Sequence, residues 1–404
     1  RWGRSHMSWV TVTSILSANG RLLTIEDLAS VEYHKLPARF HLIARDAFNG
    51  CELWRKPLNR WHETRGYVKF VPTQIQRRLA AIGDKIYCTL GYTVPIGIFD
   101  AATGKQLKTL TGTANTVEFV YDRGVIYAII GQPYGATKSP SKSVTLKALD
   151  AESGAAKWVK TINHYVGGSL VVKDASLAYC TNNHVVCCQS VSGKISWSAD
   201  SPGLNVKPAK RVKGKRLRPG DLAGGQDNLN PTLVLTDAML YCSTVKAVKA
   251  YVRKSGKLAW TGKNVQNYMK SSDIFVAGGL VWTGLLNGHD PLTGEIKRRL
   301  TQVMDTPMGH DRCYRNRITD TYYINSKTGG SDFVSLTGKG EFPAPWVRGT
   351  CGLGPLPANG MLYASPYSCS CLAGTMLTGF KALYSTGRAK GGVMKIDRTV
   401  RFVK

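Results

Sequence analysis

One strand signal recurs along the chain and constrains its fold more than any other feature. A turn is followed by two or three apolar residues ending in a bulky one. The copies are ANGRLL, IGDKIY, DRGVIY, DASLAY, TDAMLY, AGGLVW, TDTYY and ANGMLY. They end at Leu23, Tyr87, Tyr127, Tyr179, Tyr241, Trp282, Tyr323 and Tyr363, with spacings of 64, 40, 52, 62, 41, 41 and 40 residues. Four of the seven spacings are 40 or 41, and the other three read as that period plus loop insertions.

A hairpin follows most of these strands. Its clearest copy is residues 146–158, LKALDAESGAAKW. Asp150 can bond the backbone of its own turn, and Gly154 takes a positive φ at no steric cost. Further copies run Asp46-Asn49-Gly50-Trp54, Asp100-Thr103-Gly104, Gln189-Ser192-Gly193-Trp197, Ser255-Gly256-Trp260 and Asp290-Thr293-Gly294. A weaker one is Asn325-Thr328-Gly329-Phe333, and a degenerate one is FKALYSTG, residues 380–387. Eight mostly β units of about 40 residues predict propeller blades of four strands. The expected fold is all-β: one eight-bladed β-propeller over residues 1–387, with 388–404 a basic tail or edge strand. Trp54, Trp158, Trp197 and Trp260 are then blade-docking rings, each packed on the next blade. Lys108 and Arg298 fall at the equivalent position in two copies, where weaker blade contacts are expected.

The insertions that break the period lie near 55–78, 131–143 and 203–230. The first mixes basic and aromatic residues: Arg60, Trp61, Arg65, Tyr67 and Lys69. The third holds Lys207, Lys210, Arg211, Lys213, Lys215, Arg216 and Arg218 within twelve residues and no acid. The whole chain carries 54 Lys plus Arg against 26 Asp plus Glu, a net charge of +28. A field of that sign draws anions: an acidic protein, an anionic polymer or nucleic acid. The basic stretch suits phosphates, with affinity falling steeply in salt, but it lacks the interleaved aromatics that stack bases. No apolar run is long enough for a transmembrane helix. Arg1 opens what reads as mid-protein sequence, so a longer protein or larger assembly is expected.

Of ten cysteines, Cys88, Cys180, Cys187, Cys188 and Cys242 sit in apolar strand runs and read as small core residues. Alternation along VVCCQ points one of the Cys187–Cys188 sulfurs into one face of the blade and the other away.

The hairpin resembles the tryptophan-docking repeat of quinoprotein-like propellers, Ala-x-Asp-x-x-x-Gly-x-x-x-Trp. ARDAFNGCELW (residues 44–54) and ALDAESGAAKW (148–158) match it fully, and IFDAATGKQLK and CQSVSGKISW in part. The resemblance implies an eight-bladed propeller of the quinoprotein (PQQ-like repeat) type. That family includes dehydrogenases that bind pyrroloquinoline quinone (PQQ) and calcium. It also includes cofactor-free outer-membrane assembly-factor scaffolds and large secreted bacterial proteins. In some of its dehydrogenases a vicinal disulfide stands against the quinone, the role that would fall to Cys187 and Cys188. No catalytic, cofactor or metal residue is assigned by motif. GHDRCYRNR, WVRGTCGLG and PANGMLYASPYSCSC are similar to the closing blades of a subgroup of large bacterial propellers. They gather Cys313, Cys351, Cys369 and Cys371. Two disulfides are the leading reading. A Cys₄ zinc site is an alternative, although Cys-x-Cys is not its usual spacing. Free thiols are another, and so is a nucleophilic Cys313 served by His310.

Three functions remain open at this level. The first is a non-catalytic scaffold, periplasmic or extracellular, that binds an acidic partner protein or an anionic polymer through basic loops. The second is a PQQ- and calcium-dependent dehydrogenase. The third is a nucleic-acid-binding propeller.

Overall fold

The computed structural model describes residues 12–29, 37–59, 61, 73–91, 93–131, 143–202, 204, 230–264, 272–302, 314–366, 377 and 379–384. They form eight antiparallel sheets, each built from consecutive strands. Strands β1–β4 lie in residues 12–57 (blade I), β5–β8 in 79–109 (II), β9–β12 in 116–163 (III) and β13–β16 in 171–200 (IV). Strands β17–β20 lie in 232–263 (V), β21–β24 in 274–299 (VI), β25–β28 in 317–342 (VII) and β29–β31 in 356–384 (VIII). Blade VIII has three described strands and the others four. The strands of a blade are called A to D in chain order. The A strands of neighbouring blades approach one another, as β1 does β5 and β9 does β13, so they line the axis.

Burial follows position in the blade. B strands such as β14 (Ser176–Cys180) and β18 (Met239–Ser243) are buried on both faces and read as near-continuous apolar runs. D strands such as β12 (Ala156–Asn163) alternate toward solvent. The core is correspondingly divided. Leu23 and Ile86 meet between blades I and II, Tyr87 and Ile126 between II and III, and Tyr127 and Tyr179 between III and IV. The series continues with Cys180 and Leu240, Tyr241 and Val281, Trp282 and Tyr323, and Ile324 and Leu362. Tyr363 and Leu22 close the ring between VIII and I. A single blade therefore leaves both faces apolar, and stacking is what buries them.

In blades I to VI the C–D pairing slips by one residue beside the docking position, as between Ala148 and Leu149. Such a bulge re-aims a side chain, here toward the next blade. Trp54 Nε1 donates to Ala101 O at 3.1 Å, Trp158 to Ser190 O at 2.9 Å, Trp197 to Arg253 O at 2.7 Å and Trp260 to Pro291 O at 3.0 Å. Each acceptor directly follows the residue that opens the next blade's C–D turn. Lys108 and Arg298 keep the donor where the ring is absent. Lys108 Nζ reaches Glu152 O and Ser153 O at 3.1 and 2.7 Å, and Arg298 Nη1 reaches Leu336 O at 2.6 Å. Loss of the indole therefore leaves the interblade hydrogen bond in place.

The expected hairpin copy at Asn325-Thr328-Gly329 is corrected by one strand. Those residues connect β26 (Tyr322–Asn325) to β27 (Asp332–Ser335). The C–D turn of blade VII is 336–340, where Gly338 has φ +78° and Leu336 accepts from Arg298. Closure between blades VIII and I uses side chains among the described residues. Tyr363 OH donates to Ala47 O at 2.9 Å, Asn359 Nδ2 to Ser17 Oγ at 2.8 Å, and the Arg45 guanidinium lies 5.5 Å from the Phe380 ring centre.

Candidate binding face

An antiparallel meander sends its A–B and C–D turns to one end of the blade and its B–C and D–A connections to the other. Contacts between neighbouring blades keep these ends in register around the ring. At the first end, Asn19 Nδ2 donates to Gly83 O at 2.7 Å, Lys85 pairs with Glu152 at 2.5 Å and Lys173 with Asp237 at 3.1 Å. At the second, Asn59 N donates to Leu90 O at 3.0 Å and Asn115 N to Thr93 O at 3.2 Å. One face is thus made of tight turns, none longer than six residues between described strands, and the other of loops.

The connections 58–78, 131–142 and 201–231, which overlap the predicted insertions, leave D or B strands at this end, while Arg55 to Pro57 of the first belong to β4. The cysteine-bearing connections 300–316, 343–355 and 365–380 leave on the same face. Charge divides the same way. The loop-face connections carry twenty-two Lys and Arg against seven Asp and Glu, a net of +15. The A–B turns of all eight blades and the C–D turns of blades I to VII carry seven against seven, a net of zero.

Lys207, Lys210, Arg211, Lys213, Lys215, Arg216 and Arg218 lie outside the described residues, but the roots of their connection do not. Leu204 is fully buried between blades IV and V, with its N–H on Asn182 O at 3.2 Å. Asn230 Nδ2 donates to Gly167 O at 2.9 Å. Cys313, Cys369 and Cys371, with His310, also lie outside the described residues. Cys351 is buried, 3.5 Å from Arg348 Nη2.

Around the axis on this face stand residues that the sequence reading passed over. A 3₁₀ turn, Thr73–Arg78, crosses the mouth of the ring. Gln76 Nε2 donates to Gly352 O, ahead of blade VIII, at 3.3 Å. Arg77 Nε meets Glu118 Oε2 of blade III at 2.6 Å, and its other nitrogens donate to Gly168 O and Leu170 O ahead of blade IV. The Glu118 side chain is 0% exposed; its Oε1 accepts from Tyr165 OH at 2.5 Å and Gly168 N at 2.7 Å. Burial, then the adjacent Glu118 charge, pushes the Tyr165 phenol well up. Across the ring, Arg315 Nε meets Asp273 Oδ1 at 3.4 Å and its Nη2 donates to Thr232 Oγ1 at 3.0 Å. Burial, and then Arg315 nearby, lowers Arg317 to about 10. The one sequence signal was an acid inside an apolar run, Glu118 in TVEFVYD.

The quinone and calcium of the dehydrogenases can be tested against this donor set. Calcium takes six to eight oxygens, mostly carboxylate and carbonyl. Among the described residues no three His, Cys, Asp or Glu side chains converge. Glu118 and Asp273 are engaged by arginines. Cys187 packs between blades IV and V, whereas Cys188 packs between III and IV. The two sulfurs therefore face apart, into different interfaces. These residues do not make the calcium cage or the vicinal pair that such a cofactor uses.

Residues 142–319 match the family model described as PQQ_2, outer membrane protein assembly factor BamB. No curated protein matches the sequence. Among solved structures, BamB from Moraxella catarrhalis is 12% identical, with 84% of this chain and 96% of that one covered and a TM-score of 0.49. The computationally designed Ika8 protein is 10% identical, with 82% and 97% covered and a TM-score of 0.41. KlHsv2 with a replaced loop is 8% identical, with 80% and 91% covered and a TM-score of 0.44. The eight sheets make the chain an eight-bladed β-propeller, and residues 142–319 of it match a PQQ-repeat family model.

Proposed function

We propose that the chain is a non-catalytic scaffold of the cell envelope whose loop face binds an acidic protein. One observation carries this reading: every connection of more than six residues between described strands, and the whole excess of loop charge, is on one face. A rigid ring presenting variable loops on one side is a common binding architecture, and like-signed charge there selects partners of opposite sign. The family match supports a protein-binding role at the envelope, since the model's description is that of an outer-membrane assembly factor.

The test compares the wild-type chain with a variant carrying Lys210→Gln, Arg211→Gln, Lys213→Gln and Lys215→Gln. Proteins retained by each from a native envelope extract at low salt are identified by mass spectrometry. Binding to poly-glutamate and to a dT oligonucleotide is titrated against salt. The reading expects acidic proteins on the wild type only, and about tenfold weaker poly-glutamate binding by the variant. Equal binding by both would remove the basic insertion from the account. Tighter binding of the oligonucleotide than of poly-glutamate at equal charge would transfer the site to nucleic acid.

A further inference from the structure

Beneath the roots of the basic insertion lies a pair of thiols that the proposed function does not use. Cys180 is the last residue of β14 in blade IV, and Cys242 is the last but one of β18 in blade V. Both are B strands, which end at the loop face. The two side chains are 0% exposed and share one interblade cluster with Leu204 and Leu233. Those two residues flank the insertion, at its entry and its exit. Both cysteines are free and pack into the same interblade boundary, Cys180 from blade IV and Cys242 from blade V. They come from strands 62 residues apart in sequence, so the contact exists only once blades IV and V have stacked.

We propose that Cys180 and Cys242 are a site of covalent cross-linking, forming a disulfide between blades IV and V when the chain folds in an oxidising compartment. The oxidant is itself a disulfide, that of oxidised glutathione or of a thiol oxidoreductase. One cysteine thiolate attacks it, forming a mixed disulfide and expelling one thiolate. The other cysteine thiolate then attacks the protein sulfur of the mixed disulfide. The Cys180–Cys242 bond forms and the second oxidant thiolate leaves. Two protons and two electrons pass from the cysteines to the oxidant, which ends as two thiols.

Timing follows from burial. In the closed ring neither sulfur meets solvent, and burial pushes the Cys180 thiol far above its ordinary value. A protonated, enclosed thiol does not exchange. The bond therefore forms while the blades are closing and is then shielded from reductant. Its place distinguishes it from the other ties between these blades. On the turn face, Trp197 donates to Arg253 O, and the Arg253 side chain returns to Lys173 O at 2.7 Å and Ser176 Oγ at 2.9 Å. The thiol pair is on the loop-face side, where blades IV and V carry the two ends of residues 201–231. The cross-link would fix the spacing of those ends, whatever the insertion binds.

The experiment refolds reduced, denatured chain in a glutathione redox buffer, alkylates it under denaturing conditions and maps peptides without reduction. The expected product is a linked pair of peptides holding Cys180 and Cys242, two hydrogens lighter than the separate thiols. The wild type refolded under oxidising conditions should melt about 4 °C above the same chain refolded in dithiothreitol. Cys242→Ser should lose both the linked peptide and the redox-dependent difference. The wild-type comparison does not depend on that variant folding. Folded, oxidatively refolded protein with both cysteines fully alkylated would overturn the proposal, as would linkage of either one to Cys187 instead.

Discussion

The Trp158 indole and Gly193 are in face contact across the boundary between blades III and IV. A Cβ placed on Gly193 would stand 2.8 Å from Trp158 Cε3, and Gly193 has φ +69°. The same relation holds between Gly104 and Trp54, Gly256 and Trp197, and Gly294 and Trp260, at 2.5 Å each. The turn glycine is thus held twice over, by its own backbone conformation and by the previous blade's ring.

Gly193→Ala should therefore destabilise more than the backbone term alone, by about 2–3 kcal/mol, because the methyl group also lifts the ring. Trp158→Ala should cost about 3–5 kcal/mol. The double variant should lose less than the two singles combined, since both remove the same contact. Thermal or denaturant melts of the four proteins measure this. Full additivity would mean that the two residues do not depend on each other.

Lys108→Met should weaken the boundary between blades II and III by about 1–3 kcal/mol, because two turn carbonyls lose a charged donor. Arg298→Met should do the same between VI and VII. Hydrogen exchange in residues 101–105 and 151–155, compared between wild type and Lys108→Met, would locate the loosening. Unchanged exchange would show that packing of Leu110 on Gly154, where a Cβ would stand 3.0 Å from Leu110 Cδ2, suffices there.

Glu118→Gln should cost about 2–3 kcal/mol. It leaves Arg77 without its counter-charge at the axis, and Arg77 is partly open to water, which moderates the loss. Arg77→Met should be comparably damaging, since it strands a buried carboxylate. The double variant should recover part of the loss. A melt of the three variants decides, and absence of recovery would show that the pair does not act as a unit.

Lys381 gives a pH prediction. Burial first, then Arg348, lowers its ammonium to about 8 from an ordinary 10.5. The unfolded chain therefore binds more protons than the folded one between about pH 8 and 10, and stability rises with pH across that window. Its contribution is present above the unfolded value and lost as pH falls through about 8. Buried thiols act oppositely above about pH 8.5, so the informative quantity is the difference from Lys381→Met. Wild type should gain on that variant between pH 8 and 10 and trail it below 8. A pH-independent difference would refute the assignment.

The parts of the fold legible in sequence were those written locally and repeated. Asp150, Ser153, Gly154 and Trp158 lie within nine residues, and Asp150 Oδ1 accepts from Ser153 N at 2.9 Å inside that same turn. The sequence places the blade VII hairpin one strand early because Asn325-Thr328-Gly329 has the right spacing, while the real turn at 336–340 offers neither the Asp nor the Trp. The axis was not legible at all. Arg77 and Glu118 are 41 residues apart, and Arg77 lies in a connection that has no copy elsewhere. Cys180 and Cys242 are legible as core residues, but their meeting at one blade boundary is a property of stacking, which no single repeat records.

The uneven placement of charge also acts before any contact is made. The sequence puts a net charge of +15 into the connections that leave one face and zero into the turns of the other. An anionic surface exerts a torque on such a body as well as an attraction. Near physiological salt that torque is screened beyond about 8 Å, so the ring turns during the last stage of approach. An acidic partner of the kind proposed would then be met loops first.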